Sequence, residues 1–200
     1  MIQLLLAVYS GFTHAFEADH LLAVSNLVTN RRKTSFAIKD GIYWGLGHTS
    51  TILSVGLVMI YLKIQVSEVI FNYFEASVGV LLITLAFFRL RKFHRTKHHE
   101  HSHHHPHHLA YFVGLVHGLA GSGALIVLVM TQIQSTLEGL LYLGIFGIGS
   151  MIGMLVAAGL LSIPFTKKLI GSNNLQVAMI LISCTLCIFF GTMIVRDNLL

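Results

Sequence analysis

Two histidines and two acids fall within the seven residues His14-Ala15-Phe16-Glu17-Ala18-Asp19-His20, inside an otherwise apolar stretch running from Ile2 to Val28. A charged side chain at bilayer depth costs at least about 2.5–3.5 kcal/mol, so such groups are kept there for a purpose. Imidazole and carboxylate together suit Zn, Ni, Co or Fe better than Mg or Ca. On an ideal helix turning about 100° per residue, Glu17 lies roughly −60° from His14, His20 roughly −120° and Asp19 roughly +140°. One straight helix cannot offer all four groups to one ion. Either the helix is distorted here, or His14 and His20 bind the ion while Asp19 orients a ligand from behind, as imidazole ligands commonly require.

Two more histidines sit inside apolar stretches beside glycine: His48 in Gly45-Leu46-Gly47-His48-Thr49-Ser50, and His117 in Gly114-Leu115-Val116-His117-Gly118. A lone buried histidine is more often a hydrogen-bonded structural group, but three such stretches together point to one shared metal site. The expected ligand set is His14, Asp19, His20, His48 and His117, with Glu17 as a further candidate. A second feature is the run from His94 to His108, which holds nine histidines in fifteen residues. His98, His99, His101, His103, His104, His105, His107 and His108 form its dense part, a low-complexity metal-binding tract. By contrast, Cys184 and Cys187 lie among Ile, Leu and Phe and read as packing residues, since buried cysteine behaves as a small hydrophobe. Glu75 and Glu138 read as interfacial.

The elements that must position these groups are membrane helices. The 200-residue chain is 54% hydrophobic and 10% charged, against about 25% charged in soluble domains. Six apolar runs approach the roughly 20 residues that cross a bilayer: 2–29, 40–61, 69–90, 109–131, 138–163 and 174–195. Residues 1–10 lack a basic leader and a small-residue cleavage pattern, so the first span is expected to stay in place. The formal charge of +5 does not imply nucleic acid, because the basic residues sit in loops. Arg31, Arg32, Lys33 and Lys39 follow span 1; Arg89, Arg91, Lys92, Arg95 and Lys97 follow span 3; Lys167 and Lys168 follow span 5. Only Lys63 and Arg196 lie on the opposite side. The positive-inside rule then predicts cytoplasmic loops, the histidine tract among them, and both termini outside.

The chain also answers itself at an offset of about 103 residues. Gly11-Phe-Thr-His14 aligns with Gly114-Leu-Val-His117, and Trp44-Gly45-Leu-Gly47-His48 with Phe146-Gly147-Ile-Gly149-Ser150. Ser122 and Gly123 stand where Asp19 and His20 would fall. A repeat of three spans forces the halves to cross in opposite directions, as in secondary transporters with sites at the repeat interface. The expected fold is therefore an all-α integral membrane protein with six transmembrane helices in two inverted repeats: 1–90 and 109–200, joined by the histidine loop 91–108. Gly11, Gly114, Gly118, Gly121 and Gly123 fit close helix packing or helix breaks.

His14-x4-Asp19-His20 followed by Leu21-Leu22-Ala23-Val24 resembles the H-x4-D-H signature of the nickel/cobalt transporter superfamily. Leu46-Gly47-His48-Thr49-Ser50 is similar to that family's second histidine motif. In the second half, Gly114 to Leu125 and Phe146 to Met154 look like the six-span branch known as urease accessory protein H-like. The resemblance covers nearly the whole chain except the histidine loop. It implies movement of Ni²⁺ or Co²⁺ across the cytoplasmic membrane, with His14, Asp19, His20 and His48 as the positions carried over. Glu17 departs from the Asp usual in larger members, and the additional spans of the eight-helix transporters are missing.

The expected function is thus transport of a divalent transition-metal ion, nickel first and cobalt next, with no catalytic cofactor and not an enzyme. The lipid bilayer and the metal ion are the expected partners, and cytoplasmic metallochaperones are candidate receivers near the tract. With no Walker A pattern, any ATP coupling has to come from another chain. The rival readings are a membrane-embedded metalloenzyme, for which no H-E-x-x-H or comparable motif is present, and a sensor or chaperone that stores metal on the loop without transport.

Overall fold

Every regular element among the described residues is a helix: α1 (Ile2–His14), α2 (Ala18–Val28), α3 (Thr34–Leu62), α4 (Glu68–Arg95), α5 (His108–Gln132), α6 (Thr136–Ser162) and α7 (Asn173–Leu199). The computed structural model describes residues 2–29, 33–63, 67–95, 107–132, 135–163 and 173–200, with backbone alone at 2, 94–95, 122–132 and 173–176. Four described helices, within α3, α4, α6 and α7, are long and apolar enough to cross a membrane. α5 is 25 residues long. Leu5, Val58, Phe88, Leu160 and Phe189 all point outward and exposed. So much outward apolar surface suits a lipid solvent rather than water.

The first apolar run is not one helix. Phe16 N–H bonds to the Thr13 carbonyl at 2.9 Å and Glu17 N–H to that of His14 at 3.1 Å, which tightens the last turn of α1. Glu17 is then extended (φ −65°, ψ 154°), and α2 restarts at Ala18. At 13 and 11 residues, neither piece alone reaches the roughly 20 residues a span needs. A break inside the membrane is tolerated where protein shields the freed backbone groups. Here Ala15 is fully buried, and a Cβ added at Gly153 on α6 would lie 2.7 Å from the Ala15 Cβ.

Two other boundaries differ from the sequence expectation. α3 begins at Thr34, ahead of residue 40, and α4 runs on to Arg95, so the segment after residue 90 starts as helix. Nothing in Arg91-Lys92-Phe93-His94-Arg95 breaks a helix, and long basic side chains reach back to the membrane interface.

Glycines set the helix contacts. The two middle helices, α3 and α6, run antiparallel: Ile38 meets Gly159, Gly41 meets Leu155 and Ala158, Gly45 meets Met151, and Thr49 meets Gly147. The Thr49 hydroxyl donates to the Gly147 carbonyl at 3.1 Å. α4 and α7 are antiparallel too, with Gly79 against Gly191 and Val195, and Gly191 against Ile83. α1 lies parallel on α6, where Gly149 meets Val8, Gly11 meets Phe146, and Gly153 meets Phe12. α5 lies parallel on α3 in the corresponding way: Gly47 meets Tyr111, Gly114 meets Trp44, and the Thr51 hydroxyl donates to the Leu115 carbonyl at 3.1 Å. At Gly11, Gly47, Gly114 and Gly149 a Cβ would run into a carbonyl oxygen of the neighbouring helix.

A core of Ala23, Val24, Trp44, Leu82 and Met154 fills the centre, with a second cluster of Ile52, Met59, Leu143 and Phe146. Cys184 and Cys187 are buried and free. They face α2, where the Asn26 amide donates to Cys187 Sγ at 2.8 Å and Cys184 donates to Asn26 Oδ1 at 3.6 Å. Glu75 and Glu138 are exposed.

Candidate metal centre

The break in the first apolar run puts His14 at the end of α1 and His20 in the first turn of α2, with their rings edge to face at 4.6 Å between centroids. α3 brings His48 to 5.3 Å from both rings, and α5 brings His117 to 5.1 Å from His20. One ring nitrogen from each of His14, His20 and His48 lies within 4.8 Å of the others. A transition metal bound at about 2.1 Å from each nitrogen needs only a small inward movement of the rings. His117 borders this group through His20. Glu17, Asp19 and His20 also bring one donor atom each within 4.8 Å.

Hydrogen bonding sorts the nitrogens. His14 Nδ1 lies 2.9 Å from Glu17 Oε1, His20 Nδ1 3.0 Å from Asp19 Oδ1, and His117 Nδ1 3.0 Å from the Val113 carbonyl. Each of these oxygens accepts from an Nδ1–H, which leaves the lone pair on Nε2. The Nε2 atoms of His14, His20 and His117 are buried without a hydrogen-bond partner, and so are both ring nitrogens of His48. Buried polar atoms with no partner are rare, and an ion or an ordered water can satisfy them.

Apolar walls keep the rings in place. Trp44 packs 5.5 Å from His20 and 6.0 Å from His117, and Phe146 lies 5.5 Å from His14. On α5, Gly121 presents no side chain to the centre: a Cβ there would sit 3.0 Å from His14 Cε1 and Nε2. Glu17 is 58% exposed and Asp19 26%, against 1% for His20. The carboxylates thus stand at the outer side of the rings they hold.

Of the predicted tract, His107 and His108 are described. His108 opens α5 and is exposed. His107 Nδ1 lies 2.7 Å from Asp40 Oδ1. His98, His99, His101, His103, His104 and His105 lie outside the described residues, as do Arg31, Arg32, Lys97, Lys167 and Lys168. Ser122 and Gly123 are described only as helical backbone. Sequence reasoning passed over Asp40, Trp44 and Phe146. Asp40 carried a signal as an acid at the edge of an apolar run, and Trp44 and Phe146 occupy matching positions of the repeat.

No family model and no solved structure matches the chain. The urease accessory protein UreH of Bacillus sp. (strain TB-90) is 37% identical over 169 residues, which is 78% of this chain and 74% of that protein. A Methanocaldococcus jannaschii protein named putative nickel/cobalt efflux system is 27% identical over 190 residues, 90% of this chain and 86% of its own length. With the H-x4-D-H histidines gathered around one centre, this chain belongs to the nickel/cobalt transporter superfamily, in its urease accessory protein H-like branch.

Proposed function

We propose that the chain carries a divalent transition-metal ion, nickel first and cobalt next, across the cytoplasmic membrane through the centre formed by His14, His20, His48 and His117. One observation carries this reading: three imidazoles have Nδ1 occupied by an acceptor, while five ring nitrogens of the four histidines are buried without a partner. Neutral imidazole with its proton on Nδ1 is the form that binds metal through Nε2. Asp19 and Glu17 supply negative charge against a dication in a low dielectric and orient the rings, so both act from behind the ligands. The name of the Methanocaldococcus relative supports nickel or cobalt as the ion and transport over catalysis.

The architecture that goes with this function is two three-helix repeats of opposite orientation, 1–90 and 109–200, with α1 and α2 together making one interrupted span. Its support lies in the helix contacts. Shifting residues of α1 forward by 103 onto α5, and residues of α6 back by 102 onto α3, carries Gly11–Phe146 onto Gly114–Trp44, and Val8–Gly149 onto Tyr111–Gly47. A two-fold relation of this kind, passing between antiparallel α3 and α6, reverses the membrane direction of one half, and sites at such repeat interfaces are the rule in secondary transporters.

The test is flux of radiolabelled Ni²⁺ in vesicles reconstituted with purified protein. His14→Ala and His20→Ala should abolish flux, while Asp19→Asn, which keeps an acceptor for His20, should weaken metal affinity by about 10–100-fold. Removing residues 98–108 should raise the half-saturating Ni²⁺ concentration without abolishing flux. A well-folded wild-type protein that moves no metal would sink the proposal.

A further inference from the structure

Asp40 is an acid 1% exposed in the first half of α3, and a buried carboxylate without a partner is costly. Its Oδ1 lies 2.7 Å from His107 Nδ1. One turn further along α3, Tyr43 lies flat against the same imidazole, 5.1 Å between centroids and 11° between planes. Carboxylate and phenol ring together determine both the position and the plane of His107. The ring is 24% exposed, and with Nδ1 engaged its Nε2 is the nitrogen left for a ligand. His20 has the same arrangement with Asp19.

Location gives this pair its meaning. His107 ends the histidine tract and immediately precedes α5. From this point α3 and α5 run parallel into the protein, reaching His48 about 12 Å beyond Asp40 and His117 about 15 Å beyond His107 at 1.5 Å per residue. A single imidazole, with water completing the coordination, binds a divalent ion weakly. Weak binding is what a handover station needs, since an ion must be able to leave as well as arrive.

We propose that His107, held by Asp40 and Tyr43, is a docking ligand for a divalent transition-metal ion passing between the histidine tract and the intramembrane centre. This deepens the transport reading and rests on it. A merely structural tie between the ends of α3 and α5 is the competing role. The two differ in what they predict for Asp40→Asn.

In Ni²⁺ flux assays on the full chain, docking predicts that Asp40→Asn and His107→Ala raise the half-saturating Ni²⁺ concentration by about 10–100-fold. Asp40→Glu should restore it in large part. In a protein lacking residues 98–105 the Asp40→Asn change should add nothing further, because coupled sites are non-additive. An unchanged half-saturating concentration, or an equal loss of maximal flux with and without those residues, would overturn the proposal.

A second readout does not depend on flux. Ni²⁺ should protect His107 from diethylpyrocarbonate, read by peptide mass spectrometry, in the wild type and not in Asp40→Asn. Absence of protection in a transporting wild type overturns docking alone. Protection in a wild type that moves no metal overturns transport and leaves the docking site standing.

Discussion

An imidazole offers two nitrogens, and which one is occupied decides whether a histidine is structural or available to a ligand. In His14, His20 and His117 an acceptor holds Nδ1, and the free Nε2 is buried. Motif spacing alone left open whether Asp19 would touch an ion or orient a ring. Its 3.0 Å bond to His20 Nδ1 supports the orienting role. Gly121 is a sensitive neighbour, since it borders the free nitrogen of His14. Gly121→Ala should press on that ring and cost about 1–3 kcal/mol of packing, with Ni²⁺ flux reduced. Gly144 is the control, because nothing lies within 4 Å of an added Cβ. Gly144→Ala should leave flux unchanged and, if anything, stabilise its helix. Equal fluxes from the two variants would remove Gly121 from the site.

At the scale of elements, the interruption between α1 and α2 is the structural event on which the centre depends. Had residues 2–28 formed one straight helix, Asp19 would have pointed away from His14. The turn through Ala15 to Glu17 instead lets both acids hold histidines. The sequence contains the polar cluster but not the break, because its shielding comes from Gly153 on a distant helix. Close contacts of α5 on α3 and of α1 on α6 hold the elements in register. Gly47→Ala and Gly149→Ala each drive a Cβ against a backbone carbonyl of the facing helix. Thermal unfolding in detergent should show a similar loss for both, about 1–3 kcal/mol. A large effect at one position and none at the other would speak against equivalent halves.

For the whole molecule, the proposed topology places the basic loops and the histidine tract in the cytoplasm. Alkaline phosphatase needs disulfides that form outside the reducing cytosol. Fused after Leu200 it should be active, and inserted after Lys168 it should be inactive. The opposite pattern would invert the molecule and put the tract outside. Membrane character itself was legible from run length and charge, since both are local properties. The Asp40–His107 pair was not, because its partners are 67 residues apart and meet only when α5 lies along α3.

The sequence alone carries the solvent class, the candidate ligand types and the family resemblance. Apolar run length, imidazole and carboxylate chemistry, and the H-x4-D-H spacing belong to single segments of chain. The folded structure sets where the first apolar run breaks, which histidines meet and which ring nitrogens are left free. The first two outcomes depend on atoms from helices distant in sequence, Gly153 against the break and His48 and His117 from α3 and α5, whereas the free nitrogens follow from acceptors within four residues, Glu17, Asp19 and Val113. The seven-residue cluster limits what the proposed site can bind, and the packing of α3, α5 and α6 around it sets which of its groups meet.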